Sequence, residues 1–172
     1  ISVDSDPATG TAFHIYLPAS GKEVTRNETV PDEPLDGHGR ILVMDDEEII
    51  RELAITSLEF LGYTVDAVED GESCISNYQA ARDRGEPYDI VIMDLTIPGG
   101  MGGVEAIKSL RDLDPEVNAI VSSGYSSGPV MANYEQHGFK GVVAKPYKIE
   151  DLAKALATLM AASGKKSSSA PK

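Results

Sequence analysis

Three acidic residues stand where this chain could do chemistry. Asp45 and Asp46 close the apolar run Ile41-Leu42-Val43-Met44, and Asp94 closes a second run, Ile90-Val91-Ile92-Met93. Short continuous apolar runs of this kind form strands buried on both faces. Two such strands, parallel and adjacent, would bring three carboxylates to one edge of a sheet. Like charges held close repel and raise one another's pKa, so that edge needs a cation. Oxygen-only donors at a strand end suit Mg²⁺. No phosphate-binding glycine loop accompanies the trio. The pattern predicts a place that holds a metal and transfers a phosphoryl group.

The elements that must position these residues follow from periodicity. Strands are expected at Ile41–Met44, Thr64–Val68, Asp89–Met93, Val117–Val121 and Gly141–Ala144. Helical spacing fills the gaps. Glu48 to Leu61 puts Ile50, Leu53, Ala54, Ser57, Leu58 and Leu61 on one face, with Gly62 just past the end. Gly71 to Arg84 is a second helix with Ile75 and Tyr78 inward, stopped by Gly85. Val104 to Leu113 is a third, ended by Asp114-Pro115. Pro129 suits the first turn of a fourth helix ending before Gly138. Ile149 to Ala161 is the last and carries Leu152, Leu156, Leu159 and Met160.

This alternation is an α/β pattern of the (βα)5 type, a doubly wound parallel sheet covered on both faces. In such sheets ligands bind beyond the carboxyl ends of the strands, where the strand order reverses. Asp45, Asp46, Asp94, the Ser122-Ser123 pair and Lys145 all fall at those ends. Each has a plainer reading when taken alone. The acidic run Asp45-Asp46-Glu47-Glu48 fits a helix N-terminus favoured by its dipole, Asp94 fits a turn cap, Lys145 a surface lysine and Ser123 a loop hydroxyl. Their convergence on one edge favours the site.

Bulk properties narrow the function further. The chain has 172 residues, enough for one domain and its flanks, and 41% of them are hydrophobic. No apolar run approaches the ~20 residues a membrane helix needs, so no membrane contact is expected. The single Cys74 excludes an internal disulfide and suits a reducing, cytoplasmic setting; a packed small residue is its expected role. A net charge of −13 would repel a nucleic-acid backbone. The chain starts at Ile1 with no signal-like segment, which predicts a piece of a longer protein. Thr11–Pro18 alternates like a strand, with Phe13, Ile15 and Leu17 on one face after a turn at Pro7 to Gly10. Residues 21–38 have linker composition, and residues 163–172 have the composition of a disordered tail.

Residues 39–162 resemble the receiver (response-regulator) domains of two-component signalling, which have a flavodoxin-like fold with strand order 2-1-3-4-5. The resemblance rests on Asp45-Asp46, on Asp94 with Pro98 four residues later, on Ser123 with the small Gly124 after it, and on Lys145-Pro146. It implies that Asp94 is the phosphoacceptor. Asp45, Asp46, Asp94 and the backbone carbonyl of Thr96 would hold Mg²⁺ (or Mn²⁺), with Asp45 acting through water. Lys145 and Ser123 would complete the catalytic set, and Lys145-Pro146 would be cis. The implied partner is a phosphohistidine donor, either a histidine kinase or a phosphotransfer protein. A monomer or weak dimer is expected.

Two departures from the family pattern matter. The segment Ile97-Pro98-Gly99-Gly100-Met101-Gly102-Gly103 is one residue longer than the commonest form, which predicts a mobile loop. Val142 stands where an aromatic residue often couples phosphorylation to a surface change, so the usual switch is not expected; Tyr125 is a candidate to line the mouth of the site instead. Residues 1–20, around Gly10-Thr11-Ala12-Phe13-His14-Ile15-Tyr16-Leu17-Pro18, resemble the closing strand of the ATP-binding domain of sensor histidine kinases. That resemblance implies a hybrid kinase as the parent and leaves membrane attachment of that parent open. None of His14, His38 and His137 opens a helix in the acidic setting of a donor histidine.

The competing functions are weaker. A phosphohydrolase of the haloacid-dehalogenase type wants a second Asp two residues after the nucleophile, where this chain has Thr96. A flavin or nucleotide module wants glycines and hydroxyls after the first strand, where Asp45 and Asp46 would repel phosphate.

Overall fold

The computed structural model describes residues 1–18, 37–124 and 129–164. All but the last two residues of the expected linker, the Tyr125 position and most of the expected tail therefore lie outside the described residues. Two strands come first: β1 (Ser2–Asp6) and β2 (Gly10–His14) form an antiparallel hairpin of their own. Then follow β3 (Arg40–Met44), α1 (Glu48–Phe60), β4 (Thr64–Val68), α2 (Gly71–Asp83), β5 (Ile90–Asp94), α3 (Gly103–Leu113), β6 (Ala119–Ser123), α4 (Pro129–Ala132), a 3-10 turn (Tyr134–His137), β7 (Gly141–Ala144) and α5 (Ile149–Gly164). The five later strands make one parallel sheet in the order β4-β3-β5-β6-β7. This is the expected doubly wound α/β architecture.

The uninterrupted apolar runs exist because this sheet has two buried faces. Leu42, Met44, Val91, Met93 and Val121 point into one core, against Cys74, Tyr78 and Ala81 of α2 and Ala106, Ile107 and Leu110 of α3. Their alternating neighbours Ile41, Val43, Ile90, Ile92 and Ile120 point the other way, against Ala54 and Leu58 of α1 and Leu152, Leu156 and Leu159 of α5. Each fully buried Leu or Ile contributes about 1.5–3 kcal/mol. A one-residue slip of any strand would exchange its two side-chain sets.

Several boundaries differ from the sequence expectation. The fourth core strand, β6, begins at Ala119 and ends at Ser123, two residues later than expected, because Val117 N–H closes a turn onto Asp114 C=O. Likewise β5 runs one residue further and includes Asp94. The expected fourth helix is broken. Asn133 leaves helical geometry (φ −126, ψ 34), and its side-chain amide at 3.0 Å shares the Pro129 carbonyl with its own backbone N–H at 3.1 Å. Leu53 is 39% exposed rather than inward. The buried stripe of α1 is Ala54, Ser57, Leu58 and Leu61, and Leu53 lies one step to its side. The expected strand at Thr11–Pro18 is shorter, Gly10–His14, and its partner Ser2–Asp6 carried no sequence signal strong enough to place it.

Candidate functional site

The sheet brings the chemistry-bearing residues together at its carboxyl edge. Asp45 follows β3, Asp94 ends the neighbouring β5, Ser123 ends β6, and Lys145 follows β7. The strand order reverses beside β3, since β4 and β5 pair on its two sides. A cleft of about 450 Å³ opens there, lined by Glu47, Ile50, Asp94, Thr96, Ser123, Gly124, Lys145 and Pro146. A groove of the same volume runs along β7 and α5, but no converging carboxylates line it.

Lys145 is the hub. Its Nζ lies 2.7 Å from Asp94 Oδ2 and 2.5 Å from Asp45 Oδ2, and its side chain is only 9% exposed. Asp45 is wholly buried; its Oδ1 accepts the Glu47 N–H at 3.1 Å, while Oδ2 has the ion pair with Lys145 but no aligned hydrogen bond. Burial pushes the Asp45 carboxyl above its usual value. Lys145 and the Glu47 N–H pull against that, while the charge of Asp94 adds to it. Burial alone would lower the Lys145 ammonium, but Asp45 and Asp94 outweigh it and hold that group above its ordinary value. Asp94 Oδ1 has a long contact from Thr96 N–H at 3.5 Å.

Three of the four expected ligand residues also come together. Asp45, Asp46 and Asp94 each offer a carboxylate oxygen, and the three oxygens lie within 4.8 Å of one another. Opposite ligands on an octahedral Mg²⁺ are about 4.2 Å apart. The three donors stand close enough to converge on a small hard cation, directly or with one acid reaching through water. Asp46 is exposed, so it offers an oxygen from the solvent side.

Several supporting contacts escaped the sequence reading. Arg51 Nη1 donates to the backbone carbonyls of Asp45 at 2.7 Å and Asp46 at 2.9 Å, fixing the turn that carries both acids. Its signal was its place one turn into α1. Gly103 must be glycine, because a Cβ there would meet the Asp94 carbonyl at 2.6 Å. The long glycine loop, expected to be mobile, is anchored by Gly71 N–H on Met101 C=O at 2.9 Å. Ser122 and Tyr147 form a buried hydroxyl pair at 3.0 Å directly behind the site. The Lys145-Pro146 bond is cis, as expected. Val142 is 37% exposed on β7, with no ring at that position.

Residues 41–157 match the family model for the response regulator receiver domain. The chain belongs to that family. This receiver domain is 28% identical over 162 residues to the sensor kinase CckA of Brucella abortus, an alignment covering 89% of this chain and 17% of that protein. The chain thus spans about a sixth of the kinase's length. Among solved structures, the chemotaxis protein CheY4 of Vibrio cholerae superposes with a TM-score of 0.63 at 26% identity, covering 72% of this chain and 99% of that one. The receiver domain of the sensor histidine kinase PA1611 of Pseudomonas aeruginosa has the same fold, with a TM-score of 0.63 at 24% identity, covering 73% of this chain and 99% of that one. That structure holds a magnesium ion in its active site cleft.

Proposed function

We propose that this receiver domain accepts a phosphoryl group from a phosphohistidine donor onto Asp94, and later loses it to water or to a further carrier. The observation that carries this reading is the buried ammonium of Lys145 held between Asp45 and Asp94, at 2.5 and 2.7 Å. The Asp94 carboxylate attacks phosphorus. The P–N bond to the donor imidazole breaks, and an acyl phosphate forms. Lys145 Nζ, already on Asp94 Oδ2, meets the charge that develops on the phosphoryl oxygens. Ser123, lining the same cleft, offers a hydroxyl to one of those oxygens. Asp45, Asp46, Asp94 and the Thr96 carbonyl would hold Mg²⁺, which when bound neutralises phosphoryl charge and orients the incoming donor.

The donor's docking side is the mouth of this cleft beside α1. Ile49, 78% exposed, and Leu53, 39% exposed, are apolar side chains left on the surface of α1, whose Ile50 lines the cleft. We assign the parent to the hybrid sensor kinases, with residues 1–20 closing the preceding ATP-binding domain. Two observations support that assignment. In the hairpin, Val3 pairs with Phe13 beside the hydroxyl pair Ser5–Thr11, while the opposite face carries Asp4 and His14, so one face presents an exposed apolar pair. A lone two-stranded hairpin is marginal in water, and such a face belongs against another layer. The alignment to the Brucella kinase covers 89% of this chain, more than residues 41–172 can supply, so it reaches ahead of Ile41.

The test is phosphorylation by a small phosphodonor with and without Mg²⁺, followed by intact mass. Metal-dependent, acid-stable and base-labile addition of one phosphoryl group, lost in Asp94→Asn, is the expected result. Metal-independent labelling, labelling that survives Asp94→Asn, or sustained turnover of a phosphomonoester would sink the reading.

A further inference from the structure

The buried pair Ser122–Tyr147 lies outside the chemistry above. Ser122 is fully buried on β6 and faces the core packed by α1 and α5, the same side as Ile120 and Tyr147. Its hydroxyl lies 3.0 Å from the Tyr147 hydroxyl, and Tyr147 is 8% exposed. A buried hydroxyl pair contributes little net stability over an apolar pair of the same shape, whereas losing one member leaves the other unsatisfied. Stability alone does not explain why polar groups stand here.

Their connections do. Ser122 pairs with Asp94 in the sheet register, and its carbonyl accepts the N–H of Leu95, the residue after Asp94, at 3.0 Å. Tyr147 stands two residues after Lys145, whose N–H donates to Ser123 C=O at 3.0 Å. The hydroxyl pair therefore ties the segment bearing Lys145 to the strand end flanking Asp94. The Tyr147 hydroxyl also lies within the field of Asp45, Lys145 and Asp94.

We propose that Tyr147 is a positioning residue for phosphoryl transfer, acting through Ser122 to hold the Lys145 ammonium in register between Asp45 and Asp94. The inference rests on the phosphoacceptor reading of Asp94. Supporting groups of this kind, one step removed from the reacting atoms, typically cost about 10- to 100-fold when removed.

The experiment compares wild type, Tyr147→Phe, Ser122→Ala and the double variant Ser122→Ala/Tyr147→Phe, each with Lys145 intact and in a Lys145→Met background. The readouts are the maximal rate of phosphorylation by a small acyl phosphate, the Mg²⁺ dissociation constant, the urea midpoint and the Lys145 Nζ resonance. Each variant should lose about tenfold in maximal rate when Lys145 is present and nothing in the Lys145→Met background. Mg²⁺ affinity should stay within about twofold. The double variant should regain the urea midpoint but not the rate, which separates positioning from stability. The Lys145 resonance should move in all three. An unchanged rate, an equal loss in both backgrounds, or an unmoved resonance overturns the proposal. If wild type takes up no phosphoryl group, the phosphoacceptor reading fails, and the resonance alone then decides the positioning role.

Discussion

Replacing Lys145 by Met removes the charge on which two carboxylates depend. The ammonium is 9% exposed, and its partners Asp45 and Asp94 are 0% and 11% exposed. Breaking a buried ion pair by deleting one member costs about 3–5 kcal/mol, because the other charge stays behind. The loss of one charged hydrogen bond sets a floor of about 1.5–3 kcal/mol. Lys145→Met should therefore destabilise the metal-free domain by about 3–5 kcal/mol near neutral pH, a fall in Tm on the order of 10–15 °C. Two conditions should narrow that gap. Mg²⁺ replaces the missing cation, so the variant should bind it more tightly than wild type, and each tenfold difference in Kd narrows the gap by about 1.4 kcal/mol at saturating Mg²⁺. Acid is the second. Burial already holds Asp45 above its usual value, so the folded state takes up its proton more readily than the unfolded chain. Stability from that group is gained as pH falls through the raised value, and without Lys145 the value rises further. Urea denaturation of both proteins from neutral pH down to the carboxylate range, with and without Mg²⁺, checks this. A loss below about 1 kcal/mol, or a loss indifferent to both Mg²⁺ and pH, would refute the picture of an ammonium serving two buried carboxylates.

Other perturbations bear on different links. Arg51→Ala frees the Asp45 and Asp46 carbonyls and should weaken Mg²⁺ binding about tenfold by titration, with Asp94 still present to be labelled. Gly103→Ala drives a methyl against the Asp94 carbonyl and should cost about 1–3 kcal/mol in urea while slowing phosphorylation; a neutral result would mean that α3 stands off from β5. Cys74 is buried, and burial first, then Asp70, pushes its thiol up to about 12. Alkylation at neutral pH should therefore track global unfolding, and rapid labelling of the folded protein would contradict that burial.

The site was legible because its residues sit at punctuation marks. A strand buried on both faces needs an unbroken apolar run, so the polar residue that ends the run is visible as its end. Asp45 and Asp94 stand there, and Lys145 follows the last strand in the same way. Gly62 and Gly85, both at positive φ, stop their helices for a local reason that is also legible in the chain. The break of α4 at Asn133 was less visible, because a side chain sharing a backbone carbonyl does not alter the apolar spacing.

Sequence by itself determined the inventory: five parallel strands, the two-sided burial of the central β3 and β5, and which residues emerge at the carboxyl ends. It did so because backbone geometry converts local spacing into faces and ends. Tertiary structure alone decided who meets whom. That Lys145 serves Asp45 as well as Asp94, that Arg51 grips the acidic turn, and that Ser122 finds Tyr147 all depend on contacts between separate elements. Such meetings depend on strand order and on the depth to which each helix packs, and no local periodicity encodes either.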